Sequence, residues 1–477
     1  MKHARAIVLA CLPIKTDMKA FKLYTLVFLF SIVGCSDAAK PATTPVPTPT
    51  PTPIIPALTD AQAMDQVQKD AIKYFWEYAE PNSKLARERY HPDNPGFDAQ
   101  IVTTGGSGFG LMSIVVGVER GFIPRAEAVS RLAIALNFLE KADRFHGAWP
   151  HWINGETGRV IPFGTKDNGG DLVETSFLCQ GLLTVREYFK TGNTAEQALA
   201  TKADDLWKGV EWDWYTKGEN ALYWHWSPSY GWQMNFKLEG YNECLITYVL
   251  GAVSPTHPIS AAAYQQGWAR NGGIVNGGSQ YGLPVVLNYN GAPGNVGPLF
   301  WSHYSYLGLD PRGLTDAYAN YWTLTQNHSK IINQYCVANP NKWTGYSDKC
   351  WGLTASYTRN SDGTTGYTAH QPLNDPGVIS PTAALSSFPY TPVESMKFLH
   401  YLYDEKKSTL VGVAGPYDAF SPHYNWVTPR YLAIDQGTIA PMVENHRTGL
   451  IWNLFMQAPE VKVGLKKLGF SSTQHNF

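Results

Sequence analysis

The feature that most constrains this chain is the alternation of two kinds of helix, one amphipathic and one apolar nearly all round and dotted with glycine. Spacing by three and four predicts helices over 62–79, 107–120, 124–142, 171–190, 194–209, 239–252, 298–308, 314–335, 391–404 and 437–456. The first carries Met64, Val67, Ala71, Phe75 and Tyr78 behind a Thr59-Asp60-Ala61-Gln62 capping box. The start at Thr391-Pro392-Val393-Glu394 combines an N-cap, proline at the first helical position and a capping glutamate. Helices 124–142 and 194–209 have polar faces with Arg125, Glu127, Lys202 and Asp205. Those near 107–120, 171–190, 239–252 and 437–456 have none, as expected of helices buried on all sides. The stretches 258–297 and 350–390 each have room for another short helix. An inner ring enclosed by an outer ring satisfies both kinds. The expected fold is therefore all-α: a single (α/α)6 barrel, a toroid with long irregular loops at the active-site mouth. A two-domain helical bundle is the alternative.

The N-terminal residues read as an address and a tether. Met18 is a better start than Met1, because Lys19 and Lys22 precede an apolar run from Leu23 through Val33. A charged n-region and short apolar run read as an export signal over 1–35, too short for a spanning helix. The run ends in Ile32-Val33-Gly34-Cys35, which resembles the bacterial lipobox, with Cys35 as the lipid-bearing residue. Ser36 follows, not the Asp that often retains such proteins at the inner membrane. The alternative is a cysteine that ends the signal by chance. Residues 36–56 form a Pro/Thr-rich linker, since proline removes donors and fixes φ. Residues 57–477 are the expected catalytic domain, long enough for a large core. The expected location is the periplasm or the outer membrane, as an exported lipoprotein whose membrane contact runs only through Cys35.

A net charge of −1 gives no basic field for nucleic acid. Aromatics reach 13 % with 16 Trp, while charged residues make up 16 %. Such aromatics fill cores, but Trp and Tyr also stack on the apolar faces of sugars. Trp149, His151, Trp152 and Trp426 are the candidate substrate-binding residues. Cys336 and Cys350 can close a short loop in an oxidising compartment, whereas Cys179 and Cys244 sit in apolar helical patterns and read as buried thiols. No Cys or His spacing matches a zinc site, so no metal and no cofactor are expected. The run Thr103 to Gly110 lacks the lysine of a phosphate-binding loop and reads as a close-packed helix entry. Ser107 fails the nucleophile-elbow pattern, because Phe109 stands where the second glycine belongs.

Acidic residues should be scarce on buried helices, because an unpaired buried charge is costly. Yet the inner candidates carry them at one end. Asp167 and Asp171 flank Gly169-Gly170, Glu174 follows one turn on, Glu243 follows Gly240-Tyr241-Asn242, and Asp435 and Glu444 bracket the start of 437–456. Parallel inner helices would bring these ends to one mouth. Carboxylates in an aromatic-lined cavity are what glycoside hydrolysis needs, one protonated and one ionised. Each position also has a bland reading. Asp171, Glu174 and Asp435 can cap a helix or complement its dipole, Asp167 can form its turn, and Glu444 can pair with Arg447.

At these residues the chain resembles the glucoamylase-like α/α barrels, and specifically glycoside hydrolase family 144. The resembling stretches are Leu85 to Arg89, Thr103 to Gly110, His146 to Trp152, Asp167 to Glu174, Asn242-Glu243, Ser254 to His257, Tyr417 to Phe420, Ile434 to Gly437 and Glu444-Asn445. They keep one order over 85–445. The resemblance implies endo-acting hydrolysis of β-1,2-glucan to sophoro-oligosaccharides, with inversion. It implies Asp167, Asp171, Glu174, Glu243 and Asp435 in the cleft, with Glu243 as the acid and Asp435 on the base side. Beside a Gly-flanked helix start, whose dipole favours the charged form, Asp435 is expected to stay ionised. Glu444 stands with Asp167, Asp171 and Glu174 as a supporting carboxylate. Where the family carries an acid after Asp167, this chain has Asn168.

Two other enzyme readings remain, another β-glucan hydrolase or an exo-acting β-glucosidase on the same barrel. A glycan-binding lipoprotein without activity would leave the inward carboxylates unexplained. A polysaccharide lyase would call for more Lys and Arg than this chain carries.

Overall fold

The structure, a computed structural model, describes residues 57–477; the signal, Cys35 and the linker through 56 lie outside the described residues. Among the described residues the helices are α1 Asp60–Trp76, α2 Thr104–Glu119, α3 Arg125–Lys141, α4 Leu172–Phe189, α5 Thr194–Lys208, α6 Leu245–Val253, α7 Tyr321–Ala338, α8 Pro381–Leu385, α9 Pro392–His400, α10 Lys407–Leu410, α11 Ala433–Arg447, α12 Leu450–Gln457 and α13 Pro459–Leu468. Strands are short and sit in the connections. The longest hairpin pairs Ala355–Arg359 with Thr365–Ala369. Among the described residues no helix is long and apolar enough to cross a membrane.

The two kinds of helix form two layers. All of α2 from Thr104 through Gly117 is buried, and α4 is buried through Val185. By contrast α3 buries only Ala128, Val129, Leu132, Ala135, Leu136 and Leu139, one face at helical spacing. Helix α2 packs on α4 and α11, both buried, while α1 covers α11 and α5 covers α4. Glycine makes the inner contacts possible. A Cβ on Gly108 would stand 2.3 Å from the Phe177 carbonyl oxygen, and one on Gly181 2.3 Å from that of Gly108. A side chain at either position would push α2 and α4 apart.

Several element boundaries differ from expectation. Helix α6 begins at Leu245, because Asn242 Oδ1 accepts the Cys244 N–H at 3.0 Å and ends the preceding turn there. Glu243 therefore lies in a turn, not in a helix. The stretch 437–456 is two helices, α11 and α12, broken at Gly449 with φ +74. The 298–308 helix shrinks to a 3-10 turn, Leu299–Ser302. Helix α7 starts at Tyr321, where Asn320 caps the Thr323 N–H at 2.9 Å. A π-helical turn, Ala263–Trp268, and α8 fill the two irregular stretches. The Thr59 capping box forms as expected, but Thr391 makes no cap bond. Its hydroxyl instead donates to the Ser387 carbonyl at 3.2 Å. Cys179, Cys244, Cys336 and Cys350 are all buried free thiols, so the 336–350 loop is not closed by a disulfide.

Candidate active site

The N-terminal ends of α4, α6 and α11 carry the carboxylates, and two groups form. The first is built around Asp171, the N-cap of α4. Its Oδ1 accepts the N–H groups of Val173 and Glu174 at 3.0 and 2.9 Å. Its Oδ2 accepts from His151 at 2.9 Å and lies 3.5 Å from His225 Nε2, which is 3.2 Å from Asp167. Capping and clustering are thus both true of Asp171, one oxygen for each. Pairing of Gly170–Asp171 with His225–Trp226 brings His225 here.

Burial would push the Asp171 carboxyl up, but hydrogen bonds from His151 and His225 hold it well below the usual carboxylate range. Burial would likewise lower both histidines. The charges of Glu174, Asp171 and Asp167 raise His151 to about 9, and Asp167 and Asp171 raise His225 to about 9. Glu174, in the first turn of α4, is pushed up to about 7 by burial, with the His151 charge opposing and Asp171 adding. Its Oε2 accepts the Gly105 N–H at 2.8 Å. The Thr103 to Gly110 run is therefore the packed entry to α2, fully buried.

Glu243 lies against this group, half-buried. Burial pushes it up to about 7, and the charges of Glu174 and Asp171 add to the shift. The Trp301 indole N–H, with no other partner, faces its carboxylate.

The second group stands at the start of α11. Asp435 is the third residue of α11, whose N-cap position is Leu432, so Asp435 is not a cap. It is 2 % exposed and neither oxygen has a hydrogen-bond partner among the described residues. Asp418 faces it, and Glu88 lies nearby. The expectation that the helix dipole keeps Asp435 ionised on its own fails. Burial and the Asp418 charge together push it well above its ordinary value, outweighing a dipole effect of about 0.3–1 kcal/mol. Tyr304 connects the two groups, its phenol lying within the fields of Asp435, Glu174 and Glu243. Its ring packs on Phe109 and Phe177 at 5.2 and 5.5 Å.

Two expected site residues lie elsewhere. Glu444 accepts from Arg120 at 2.6 and 2.9 Å, from Gln68 at 3.0 Å and from Thr448 at 2.7 Å. It is nine residues beyond Asp435, roughly 13 Å along the α11 axis. Its partner is Arg120, not Arg447, which pairs with Asp65. Trp149 is 0 % exposed, with Arg144 over its ring and its N–H on the Leu139 carbonyl. No sugar can reach it. His151 stacks on Phe163 at 3.9 Å, and Trp152 meets Phe163 edge-on, so these two border the first group. Trp426, like Tyr367 and Ile434, packs against the cluster of Tyr357, Val378, Ala419 and Leu432 beside the second. Asn168 accepts the Ser227 hydroxyl at 2.5 Å and donates to Ser229, a tie between two loops that uses no charge.

Sequence reasoning missed His225, Asp418, Tyr304 and Tyr367. Asp418 stands inside the Tyr417 to Phe420 stretch, so its signal was present but unread. His225, a single histidine between tryptophans, gives none. Of the described residues, His151, Asp167 and Asp171 offer ligand atoms within 4.8 Å of one another, a set of the size a divalent ion needs. Asp171 Oδ2 in that set already accepts from His151.

Comparison with known proteins agrees over most of the chain. The glycoamylase family model, described as "Putative glucoamylase", matches residues 235–459. An endo-β-1,2-glucanase from Chitinophaga pinensis, solved with sophorotriose and glucose, is 55 % identical, with 87 % of this chain and 99 % of that chain covered and a TM-score of 0.85. The exo β-1,2-glucooligosaccharide sophorohydrolase of Parabacteroides distasonis is 46 % identical over 433 residues, 86 % of this chain. This chain spans 58 % of that relative's length. An endo-β-1,2-glucanase from Talaromyces funiculosus is 12 % identical with a TM-score of 0.63, covering 86 % of this chain and 91 % of that chain, and shares the fold alone.

Proposed function

The chain belongs to the bacterial β-1,2-glucanase family within the glucoamylase-like group, and from that premise we propose an endo-acting, inverting hydrolase that cuts β-1,2-glucan to sophoro-oligosaccharides. Within that reading the family is glycoside hydrolase family 144. The two helical layers close as an (α/α)6 barrel, with α2, α4, α6, the segment from Leu299, α8 and α11 inside.

The observation that carries the reading is the split of the carboxyls into two groups with opposite tasks. Glu243, pushed up to about 7, holds its proton near neutrality and can give it to the leaving oxygen. Asp435 takes a proton from water as that water's oxygen bonds to the anomeric carbon and the glycosidic bond breaks. The attack comes from the face opposite the leaving group, hence inversion. His151, Trp152 and Trp426 border the cleft as sugar contacts, and Asp167, Asp171 and Glu174 set the field around Glu243.

The Chitinophaga relative supports an endo reading and the Parabacteroides relative an exo one that releases sophorose. Product analysis over time on β-1,2-, β-1,3-, β-1,4- and β-1,6-glucans separates them. We expect cleavage of the β-1,2 polymer alone, with oligosaccharides of several lengths at the earliest times. Sophorose as the sole early product would make the enzyme exo-acting, and cleavage of another linkage would overturn the substrate.

The Cys35 lipobox and Pro/Thr linker support an exported lipoprotein. Cys35→Ala should release the protein from the membrane fraction with turnover unchanged. Unaltered membrane association would count against the anchor.

A further inference from the structure

Asp418 and Asp435 face each other at the start of α11. Asp418 precedes the strand Ala419–Ser421 and is 3 % exposed; Asp435 lies in the first turn of α11. One Asp418 oxygen accepts the Tyr357 N–H at 2.7 Å. Its other oxygen and both of Asp435 have no hydrogen-bond partner among the described residues, apart from each other. Of the described groups facing the pair, the Arg89 charge lowers Asp418 and that of Glu88 raises both carboxyls. Arg89 on the strand Arg89–Tyr90 is held by Glu88, its Nη2 at 3.1 Å from Oε1. Arg430 lies over the Tyr357 ring, 5.6 Å from its centroid. Tyr304 and Tyr367 lie within the field of Asp435, and Glu88 adds negative charge to the pair.

Two touching carboxylates in a buried site cannot both be ionised, and two carboxylic acids would leave no base. We propose that Asp418 and Asp435 hold one proton between them, which makes Asp418 the donor that keeps Asp435 ionised and aimed at the attacking water. Asp418 is thus a positioning residue, acting through Asp435. Burial pushes both carboxyls up, Asp418 to about 6 and Asp435 well above its ordinary value, so near neutrality they bind one proton between them, and attack by water needs that proton on Asp418. The pair titrates as a unit and carries one negative charge at neutral pH. During the reaction the shared proton stays in place. Asp435 accepts the proton of water, and Glu243 gives its own to the leaving oxygen.

This inference rests on the hydrolase reading, so its test has one arm that needs no turnover. Asparagine at 418 keeps both roles, since its carbonyl can accept the Tyr357 N–H and its amide N–H stands where the shared proton does. In Asp418→Asn, kcat/KM on β-1,2-glucan should stay within about tenfold of wild type, with the acidic limb of the pH profile unmoved. Asp418→Ala removes the donor, so Asp435 takes up its own proton and the acidic limb rises by about one pH unit or more. A downward move in Asp418→Asn would mean that Asp418 is ionised beside Asp435, which overturns the sharing. An unmoved limb in Asp418→Ala overturns it equally. The second arm is an isotope-assigned infrared C=O band of a protonated aspartate in wild type at neutral pH, lost in Asp418→Asn. Its absence from wild type overturns the proposal even if the alanine variant does not fold. Failure of wild type to cut β-1,2-glucan while that band is present would sink the hydrolase reading alone.

Discussion

The backbone N–H of Gly105 donates to Oε2 of Glu174 at 2.8 Å, across the contact between α2 and α4. This one bond joins the packing of the inner helices to the charge of the first carboxyl group. A Cβ on Gly105 would stand 2.5 Å from that same oxygen. Gly105→Ala should therefore push Glu174 off its donor, costing about 1–3 kcal/mol of stability and lowering kcat. Gly96→Ala, with nothing near its Cβ, is the control and should melt as wild type. Equal melting temperatures for the two variants would remove the packing argument.

As the proposed acid, Glu243 should set the alkaline side of the pH profile. A carboxyl held up to about 7 by burial, with Glu174 and Asp171 beside it, is protonated below that value, so turnover should fall as pH rises past about 7. Glu174→Gln removes a neighbouring negative charge and should move that limb to lower pH. Stability follows the same sign. The unfolded chain releases this proton near about 4.3, whereas the folded chain keeps it to about 7. Stability from this group therefore declines as pH rises between those values and is level above them. Denaturant melts of wild type and Glu243→Gln across that window check it; parallel curves would contradict the raised pKa.

Glu243→Gln and Asp435→Asn should each fold and bind sophoro-oligosaccharide while losing turnover by orders of magnitude. Calorimetric binding alongside kcat separates a lost proton transfer from a lost site. Near-wild-type turnover in either would pass its role to Glu174 or Asp171.

Chelation should leave turnover unchanged. The one described set of ligand-like atoms, His151, Asp167 and Asp171, is already joined by the bond from His151 to Asp171, so an ion would have to displace it. Loss of activity in chelator, restored by a divalent ion, would recast the first group as a metal site.

Much of this site was legible because burial makes charge conspicuous. Asp171, Glu174, Glu243 and Asp435 stand out as acids at the ends of apolar helices; the first three meet in one group and Asp435 stands in the other. Glu444 shares the helix and the burial, but sequence gives no direction along an axis. Its cation comes from Arg120 at the end of α2, which no spacing within α11 reveals. Trp149 failed for a related reason, since composition cannot tell a platform from a core. Asp418 was hidden because it lies in a connection between short strands, where an acid is unremarkable until its partner is known.

The last prediction concerns that misplaced acid. Glu444 is 1 % exposed, and Arg120 meets it with two nitrogens while Gln68 and Thr448 complete its bonds. Burial would raise its carboxyl, but Arg120, Gln68 and Thr448 more than offset this and hold it below its ordinary value. Its stabilising contribution is therefore full above the unfolded value of about 4.3 and is lost as pH falls through the lower folded value. Arg120→Ala would leave the carboxylate buried and unpaired, at a cost of about 3–5 kcal/mol. Because the pair sits roughly 13 Å along α11 from Asp435, neither limb of the pH–rate profile should move in Arg120→Lys, which keeps the charge. Equilibrium unfolding of Arg120→Ala and the profile of Arg120→Lys test the two halves separately. A displaced limb in the lysine variant would return Glu444 to the active site.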